Sequence, residues 1–546
     1  MRYYIYTIIF TFIFCSFSWS GTYSRPQKNL QPTVRIAWDY NSIRQLAEQG
    51  GYPRLLRLAD RSVAVVYETY TGDAALIKSY DEGITWSQPE TIFSHFIYTG
   101  QNGDSTLVNI SNPEIYQLTN GDIILACNYR PQKPEIAPYS IVIKRSSDNG
   151  KNWSVPQIIY NAAPRFTDGC WEPSFLQLPS GELQVYFANE NPYQTSDEQE
   201  ISLLRSFDNG ATWDKNSTQV SFRKGRRDGM PVSRLINNEI VTIIEDNHID
   251  RFRPYTVRTL LTDNWATPVL SDSPQRDYCL AEQITDSVYM GAPYLLQLPT
   301  GETVISYQTN ENRSHNWEYS TLEVAIGNNQ AKHYARRSSP FDIPLDKEGK
   351  WNSIALWDNN TVVALTSSDF RSAHVAPYLI KGYIIPDTIL LNKTSKNTPD
   401  VFVGSKNNSS LRAWLTSQDD KLSIKSIIRN TTVHNNRPSQ STGIHVLIKN
   451  TDGQIIKLDC KPQGIIEPYI KTNNNWKHLN NRSIEAQHRL IDNESYELTI
   501  TMDKKDISID KINFVLSDID SAGVLQSEPL INSSPDNPST WLIVKY

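Results

Sequence analysis

The chain has 546 residues, of which 39% are hydrophobic, 21% are charged and 10% are aromatic, and its formal net charge at pH 7 is −6. This length is too great for one ordinary hydrophobic core, so the chain is expected to fold as at least two domains. The mild acidity offers no electrostatic attraction for nucleic acid or for an anionic membrane surface, so neither is expected as a partner.

The N-terminus, residues 1–20, has the three parts of a secretory signal peptide. A basic start is followed by an apolar run, IYTIIFTFIF, and then by the small residues Ser18 and Ser20 ahead of a cut before Gly21. The apolar run is too short to span a bilayer as a helix. The pattern predicts a secreted or periplasmic protein without a membrane span, and the bulky residue before Cys15 argues against a lipid anchor there.

One sequence pattern then recurs at intervals of about 60 residues. Each copy has an apolar run of strand length, a turn and a second apolar run, which is typical of a β-hairpin. Five copies begin with a proline, namely Pro53, Pro113, Pro173, Pro231 and Pro293, and a weaker sixth copy starts at Ser353 without one. This period predicts an all-β fold, a six-bladed β-propeller within residues 32–388. Residues 32–38 form an extra strand, which we expect to complete the last blade.

Three of the repeats continue into a second shared pattern, Ser-x-Asp-x-Gly-x-x-Trp, at residues 79–86, 146–153 and 206–213. It predicts a tight hairpin turn in which the aspartate accepts backbone N–H groups, the glycine has a positive φ and the tryptophan packs beneath. Such turns are the aspartate boxes of sialidase-type propellers. Because a catalytic residue is needed only once, the repeated aspartates Asp81, Asp148 and Asp208 are interpreted as structural.

The remainder of the chain, residues 400–546, lacks the repeat and follows a polar connector rich in Lys, Asn and Ser. Short alternating segments such as LSIKSIIR, GIHVLIKN and KINFVLSDID predict a C-terminal β-sandwich. The strand and turn pattern from Ser495 to Asp520 resembles the end of a family 9-type carbohydrate-binding module. The resemblance implies a second, sugar-binding domain.

No metal or cofactor is expected from the remaining polar residues. The cysteines of the mature chain, Cys127, Cys170, Cys279 and Cys460, are far apart and form neither a disulfide framework nor a zinc-binding spacing. The nine histidines show no paired ligand spacing.

Comparison of the repeats separates residues that the blade itself requires from residues that occur once. When each copy is aligned on the leucine that ends its first strand, the position six residues earlier holds Tyr52, Asn112, Glu172, Gly229 and Ala292. The position ten residues later holds Glu68, Asn128, Ala188, Glu245 and Gln308. Innermost propeller strands converge on the axis, so these positions are expected to share a pocket. Glu172 is unique at its position, whereas Glu245 shares its position with Glu68.

Two carboxylates from neighbouring blades can supply the pair that a glycosidase needs. One attacks or assists at the anomeric carbon and the other protonates the leaving oxygen, its pKa raised by an apolar wall. Trp171 and the apolar residues before Glu245 could form such walls. The residues alone leave open which of Glu172 and Glu245 is the acid.

The segment around Trp171-Glu172-Pro173, with Arg227 to Pro231 (RDGMP) and a glutamate ending the next strand, resembles glycoside hydrolase family 93. The motifs YPR at 52–54, NPE at 112–114 and GAPY at 291–294 extend the resemblance over about 32–385. The resemblance implies a secreted exo-α-1,5-L-arabinanase that releases arabinobiose with retention of configuration.

Carried over to this chain, the family makes Glu172 the nucleophile and Glu245 the general acid/base. The residues expected to bind substrate are Tyr52, Arg54, Asn112, Trp171, Asp228 and Tyr294. The implied partner is an oligo- or polysaccharide, and the protein is expected to be a monomer.

Two other functions fit the same fold, because the fold does not fix the substrate. A sialidase would need three arginines around a carboxylate, for which Arg130, Arg205 and Arg313 are the candidates by sequence order. Its Arg-Ile-Pro opening is inverted here, at Pro53-Arg54. The other alternative is a non-catalytic glycan-binding propeller.

Structural roles for the two glutamates are also open. Glu172 could pair with an arginine such as Arg165, and Glu245 could be structural like its counterpart Glu68, because buried carboxylates are not always catalytic. Tyr52 and Trp171 could be packing aromatics.

Overall fold

The computed structural model describes residues 31–391, 398–429, 442–461, 464–480, 483–519 and 523–546. The predicted signal peptide, residues 1–20, and part of the predicted connector lie outside these ranges. The helices of the described residues are single 3₁₀ turns: Phe166–Asp168, Asn191–Tyr193, Trp317–Tyr319 and Pro538–Thr540. Over the same residues, none is long and apolar enough to cross a membrane.

The first six sheets follow one another along the chain as propeller blades. β1 (Val34–Gln45) precedes the first blade, which contains β2 (Gly51–Arg57), β3 (Val63–Glu68), β4 (Ala74–Ser79) and β5 (Glu90–Phe93). Blade two contains β6 (Phe96–Thr99), β7 (Ser105–Gln117), β8 (Ile123–Pro131), β9 (Ser140–Ser146) and β10 (Gln157–Asn161). Blade three contains β11 (Cys170–Gln177), β12 (Leu183–Asn189), β13 (Glu200–Ser206) and β14 (Thr218–Ser221).

The second half of the ring has the same organisation. Blade four contains β15 (Asp228–Ile236), β16 (Glu239–Asp246), β17 (Arg253–Leu260) and β18 (Arg276–Tyr278). Blade five contains β19 (Met290–Gln297), β20 (Thr303–Thr309), β21 (Thr321–Gly327) and β22 (Ala335–Ser338). Blade six contains β23 (Gly349–Asp358), β24 (Thr361–Ser368) and β25 (Ala376–Pro386).

The ring closes through the N-terminal strand. β1 pairs antiparallel with β25, from Val34 opposite Pro386 to Gln45 opposite Tyr378, and so supplies the fourth strand of blade six. The innermost strands β2, β7, β11, β15, β19 and β23 contact one another in sequence, and β23 contacts β2. The six-bladed propeller predicted from the repeat is therefore confirmed, with a strand from each end of the propeller segment locking the ring.

Every innermost strand carries a β-bulge, which lies at the repeated proline in five of the six blades. The register shifts between Gly51 and Arg54 in blade one, and the equivalent shift occurs in the five other inner strands. Proline has no N–H, so it fits where the ladder is already interrupted. The residue before it has a positive φ in every blade: Tyr52, Asn112, Glu172, Met230, Ala292 and, before Asn352, Trp351. The bulge re-aims these side chains toward the axis.

The alignment of blade four needs one correction. Leu235 pairs with Ile240 and encloses four residues, whereas the equivalent pair of blade three, Gln177 with Leu183, encloses five. Because this hairpin is one residue shorter, Met230 and not Gly229 occupies the bulge position. The position of Glu245 stands, since Glu245 pairs with Gly229 as Glu68 pairs with Gly51.

The aspartate boxes are structural turns. Asp208 accepts the Thr212 N–H at 2.8 Å and the Ser206 hydroxyl at 2.8 Å, and Gly210 has a φ of 80°. Asp148 makes the equivalent bonds in blade two. Hydrogen bonds to the ionised carboxylate lower the pKa of Asp208 to about 2.

The C-terminal part forms two facing sheets. The larger contains β26 (Thr388–Leu390), β30 (Gly443–Asn450), β31 (Ile455–Cys460), β32 (Ile466–Thr472), β33 (Asn475–His478), β36 (Ile509–Ile519), β37 (Leu525–Pro529) and β38 (Leu542–Lys545). The smaller contains β27 (Val401–Gly404), β28 (Ser410–Gln418), β29 (Lys421–Arg429), β34 (Ile484–Asp492) and β35 (Ser495–Asp503). One apolar core lies between them, including Phe402, Leu415, Ile448, Leu498 and Phe514. The predicted β-sandwich is confirmed.

The sandwich is joined to the propeller by a buried arginine. Arg35 on β1 forms an ion pair with Asp387 at 2.9 Å and donates to the Thr540 carbonyl at 2.7 Å. The four cysteines of the described residues, Cys127, Cys170, Cys279 and Cys460, are buried and free.

Candidate functional site

A cavity of about 610 Å³ opens where the inner strands converge. Its carboxylates are Glu68, Glu172, Glu190 and Glu245. Its aromatic side chains are Tyr52, Phe166, Trp171, Phe252, Trp317 and Trp351. A cavity of this size with aromatic walls and a few convergent polar groups is the usual form of a small-ligand site.

A second cavity of about 350 Å³ adjoins the first and contains Tyr289 in its lining. Glu172 and Glu245 line both cavities, as do the aromatic residues Phe252, Trp317 and Trp351. The two glutamates therefore lie where the cavities meet.

The bulges are held by hydrogen bonds between blades. In five junctions the N–H of the bulge residue donates to a side chain from the second strand of the preceding blade. The pairs are Tyr52 with Ser367 (2.8 Å), Asn112 with Glu68, Glu172 with Asn128 (2.9 Å), Ala292 with Glu245 (2.8 Å) and Trp351 with Gln308 (2.8 Å). Glu245 thus occupies a structural register while its carboxylate faces the cavity.

The sixth junction, between blades three and four, differs. Ala188 stands at the second-strand position and has no side-chain acceptor. The Met230 N–H donates instead to Glu172 Oε2, at 3.2 Å. Glu172 is therefore bound to the backbone of the next blade, as Glu245 is.

Glu172 and Glu245 both lie close to the backbone at Gly229 and Met230. Glu245 Oε1 lies 3.0 Å from the place where a Cβ on Gly229 would stand. A Cβ on Gly291 would lie 2.7 Å from Glu245 Oε2 and 2.2 Å from the Tyr289 hydroxyl. A Cβ at either position would crowd this carboxylate, so glycine leaves the room that it occupies.

Both glutamates have raised pKa values. Burial, followed by the charge of Glu245, raises the pKa of Glu172 to about 8. Burial raises the pKa of Glu245 to about 7, against the lowering effects of the Ala292 N–H and of Arg227. The two carboxyl groups share one site and titrate together, so near neutral pH the pair holds about one proton.

Arg227 and Glu190 form a polar wall that the sequence patterns did not single out as functional. The Arg227 guanidinium donates to Glu190, to Asp197 at 2.6 Å and to Gln199 at 2.7 Å. Glu190 also accepts the Trp171 indole N–H at 3.0 Å. Arg227 precedes Asp228 in the RDGMP segment, which offered a signal, whereas no pattern marked Glu190.

Three of the predicted substrate-binding residues line the cavity and three do not. Tyr52, Asn112 and Trp171 belong to the lining. Arg54 is 3% exposed and forms an ion pair with Glu114 at 3.2 Å, and Tyr294 donates its hydroxyl to Glu114 at 3.0 Å.

Asp228 is also absent from the lining. It is fully buried, forms an ion pair with Arg276 at 2.6 Å and accepts the Ser221 hydroxyl at 2.7 Å. Arg54, Asp228 and Tyr294 are therefore each engaged in a buried polar cluster, and their contact with substrate stays a prediction.

The arginines considered for a carboxylate clamp are dispersed. Arg130 lines the cavity and stacks over Phe166 and Trp171. Arg205 forms an ion pair with Glu182 at 3.0 Å, and Arg313 donates to backbone carbonyls.

The proposed structural partner of Glu172 is also engaged elsewhere. Arg165 forms its ion pair with Asp168, at 2.5 Å. Glu172 is therefore not neutralised by Arg165, and the cation whose charge lowers the pKa of Glu172 is Arg227.

Comparison with known proteins gave one family match and several structural neighbours. Residues 138–276 match the model of the BNR repeat-like domain family. No curated protein matched the chain. A family 93 α-L-arabinofuranosidase of Fusarium graminearum, in complex with arabinobiose, is 16% identical over 64% of this chain and 97% of its own, with a TM-score of 0.44.

Two further neighbours have similar values. An α-L-arabinanase of Penicillium chrysogenum is 16% identical over 65% of this chain and 98% of its own, with a TM-score of 0.45. A sialidase of Streptococcus pneumoniae is 14% identical over 64% of this chain and 70% of its own, with a TM-score of 0.43. The family match agrees with the predicted repeat, and glycosidases of family 93 and a sialidase are among the proteins to which this chain is structurally similar.

Proposed function

We propose that this protein is a secreted glycoside hydrolase that cleaves an α-linked, neutral polysaccharide from its non-reducing end, in the manner of an exo-α-1,5-L-arabinanase. The observation that carries the proposal is the pair Glu172 and Glu245, which line one aromatic cavity with raised pKa values. A carboxylate pair that holds one proton can supply both a nucleophile and an acid.

The reaction proceeds in two displacements. One carboxylate attacks the anomeric carbon and forms a glycosyl-enzyme while the other gives its proton to the leaving oxygen. Water, deprotonated by the second carboxylate, then releases the sugar with retained configuration. This mechanism requires the carboxyl groups to lie about 5–5.5 Å apart when substrate is bound.

The two roles are assigned by resemblance. The family resemblance makes Glu172 the nucleophile and Glu245 the acid, whereas the single proton that the pair shares is compatible with either order. Azide rescue decides between them: the alanine variant of the nucleophile yields a glycosyl azide of inverted configuration, and that of the acid yields one of retained configuration.

A neutral substrate is favoured by the charges of the cavity. Its lining has four carboxylates and two arginines, Arg130 and Arg227, and Arg227 already binds Glu190. A sialidase clamp needs three arginines around one carboxylate. Arg205 and Arg313, the other two clamp candidates, lie outside this lining, which counts against the sialidase alternative. The adjoining cavity adds one further arginine, Arg251.

The test is product analysis on linear α-1,5-arabinan and on a sialylated oligosaccharide in parallel. The wild-type protein is expected to release arabinobiose, and Glu172→Gln and Glu245→Gln are each expected to lose activity by about 10³-fold or more. Release of sialic acid would contradict the proposal. Binding of arabinan without hydrolysis would favour the glycan-binding alternative.

Three further proposals concern export, oligomeric state and the C-terminal sandwich. Residues 1–20 are proposed to direct export and the protein to act as a monomer. The C-terminal sandwich is proposed to bind carbohydrate. Removal of residues 1–20 on secretion, read by N-terminal sequencing of the mature protein, tests the first point.

A further inference from the structure

The junction between blades three and four departs from a rule that the other junctions follow. Elsewhere the bulge N–H is bound by a side chain of the preceding blade's second strand, whether the acceptor is a hydroxyl, an amide or a carboxylate. Only Ala188, of the six equivalent positions, cannot accept a hydrogen bond. The N–H of Met230 is consequently left for another acceptor.

That acceptor is the carboxylate of Glu172. Its Oε2 receives the Met230 N–H at 3.2 Å, while the Glu172 N–H is itself bound by Asn128 at 2.9 Å. Glu172 has a φ of 55°, so its backbone is held in an uncommon conformation by the bulge. The residue is thus fixed at its backbone by blade two and at its carboxylate by blade four.

We propose that the backbone N–H of Met230 positions the Glu172 carboxylate for its reaction, and that Ala188 makes this N–H available by offering no competing acceptor. The reaction is that of the proposed function, on which this inference rests. Ala188 and Met230 are positioning residues, since neither is required to touch the reacting atoms.

The Met230 N–H also affects the protonation of Glu172. It lowers the pKa of Glu172, because it stabilises the ionised form, and Arg227 acts in the same direction. Burial, Glu245 and Glu190 raise it. The hydroxyls of Tyr52 and Tyr289 also face this carboxylate. Loss of the Met230 N–H is therefore expected to raise the pKa of Glu172 by on the order of one unit.

The direct test replaces the amide of Met230 with an ester, by incorporating the α-hydroxy analogue of methionine into the full chain. This change removes the N–H and keeps the side chain. The matched control is the same change at Tyr52, whose N–H is bound by the Ser367 hydroxyl, a group that does not titrate.

Two measurements are made on both esters. The melting temperature is followed from about pH 5 to about pH 9, which reports the pKa of Glu172 without any activity. The pH dependence of kcat/KM on linear arabinan is measured in parallel. Relative to wild type, the Met230 ester is expected to lose stability by an amount that grows with pH. One apparent pKa of its kcat/KM profile is expected to rise by about one unit. The Tyr52 ester is expected to show a deficit that does not change with pH.

Equal pH dependence in the two esters would overturn the proposal. An inactive wild-type protein would refute the proposed function, and the melting curves would still decide whether the Met230 N–H holds Glu172. The part played by Ala188 is tested by a crystal structure of Ala188→Ser. The introduced hydroxyl is expected to accept the Met230 N–H, as Ser367 accepts that of Tyr52. An unchanged bond from Met230 to Glu172 would refute that part.

Discussion

Glu172 and Glu245 both lie against one stretch of the first strand of blade four, at Gly229 and Met230, although they occupy different structural positions in their blades. Glu172 occupies a bulge of an innermost strand, and Glu245 occupies the second strand of the next blade. Glu172 accepts the N–H of Met230 and Glu245 accepts that of Ala292, so each is fixed by the blade that follows it. This shared mode of attachment is what brings two carboxylates together at the axis.

The pH dependence of hydrolysis should follow the proton count of this pair. With pKa values of about 7 and about 8, both groups are protonated in acid and both are ionised in base. Only the form with one proton has a nucleophile and an acid, so kcat/KM should be highest between these values and fall on both sides. Rates on linear arabinan across about pH 5 to 10 check this. A rate that is constant over that range would contradict the assignment.

Glu172→Gln should stabilise the protein in base. The pKa of Glu172 is raised from 4.5 to about 8 on folding, so the folded state binds the proton more tightly than the unfolded state. Stability is therefore full below about pH 4.5 and is lost as pH rises to about 8. Gln cannot ionise, so at about pH 9 the free energy of unfolding of the variant should exceed that of wild type by on the order of a few kcal/mol, and its melting temperature should be higher. At about pH 4 the two proteins should have the same melting temperature.

A matched control for this effect is Glu497→Gln. Glu497 lies on the sandwich, where ion pairs with Lys425 and Arg489 lower its pKa. Because the sign of its shift is opposite, this variant should not gain stability in base. A rise in both variants would show that the gain does not come from the buried charge of Glu172.

Gly291→Ala should displace the carboxylate of Glu245. The new Cβ would lie 2.7 Å from Oε2 of Glu245 and 2.2 Å from the Tyr289 hydroxyl, which is too close for either contact. A misplacement of about 1 Å at a reacting group costs about 10²-fold, so kcat should fall by that order. Gly100→Ala is the control, because its nearest atoms would be 3.7 Å away, and it should retain the wild-type kcat.

Asp208→Ala should lower stability and leave catalysis intact. The change removes the acceptor of the Thr212 N–H and of the Ser206 hydroxyl, both at 2.8 Å. We expect the melting temperature to fall by roughly 2–5 °C. The kcat of the folded protein should equal that of wild type, because Asp208 does not line the cavity. A loss of kcat at a temperature where the variant is folded would mean that the aspartate box has more than a structural role.

The sequence by itself determined the blades, because their signals are local and repeated. The proline of five copies marks a bulge, where the ladder does not use its missing N–H, and the Ser-x-Asp-x-Gly turn carries its own hydrogen bonds. The uniqueness of Glu172 could also be read from the repeats. The alignment of blade four was wrong by one residue in its first strand, where Met230 and not Gly229 is the bulge residue. The register of Glu245 on the second strand was still correct, because the shorter turn affects only the positions of the first strand.

Only the tertiary structure decided which polar side chains share the cavity. Arg54, Asp228 and Tyr294 lie in matching motifs, but each is bound within a buried cluster, whereas Glu190 and Arg227 meet at the cavity from separate loops. Ala188 offers no side-chain acceptor to the Met230 N–H of the next blade, and this N–H binds Glu172 instead. That exchange exists only once the two blades have come together. Contacts between blades depend on the closure of the ring, which no local pattern encodes, since the paired residues are tens of residues apart and meet only when the strands converge.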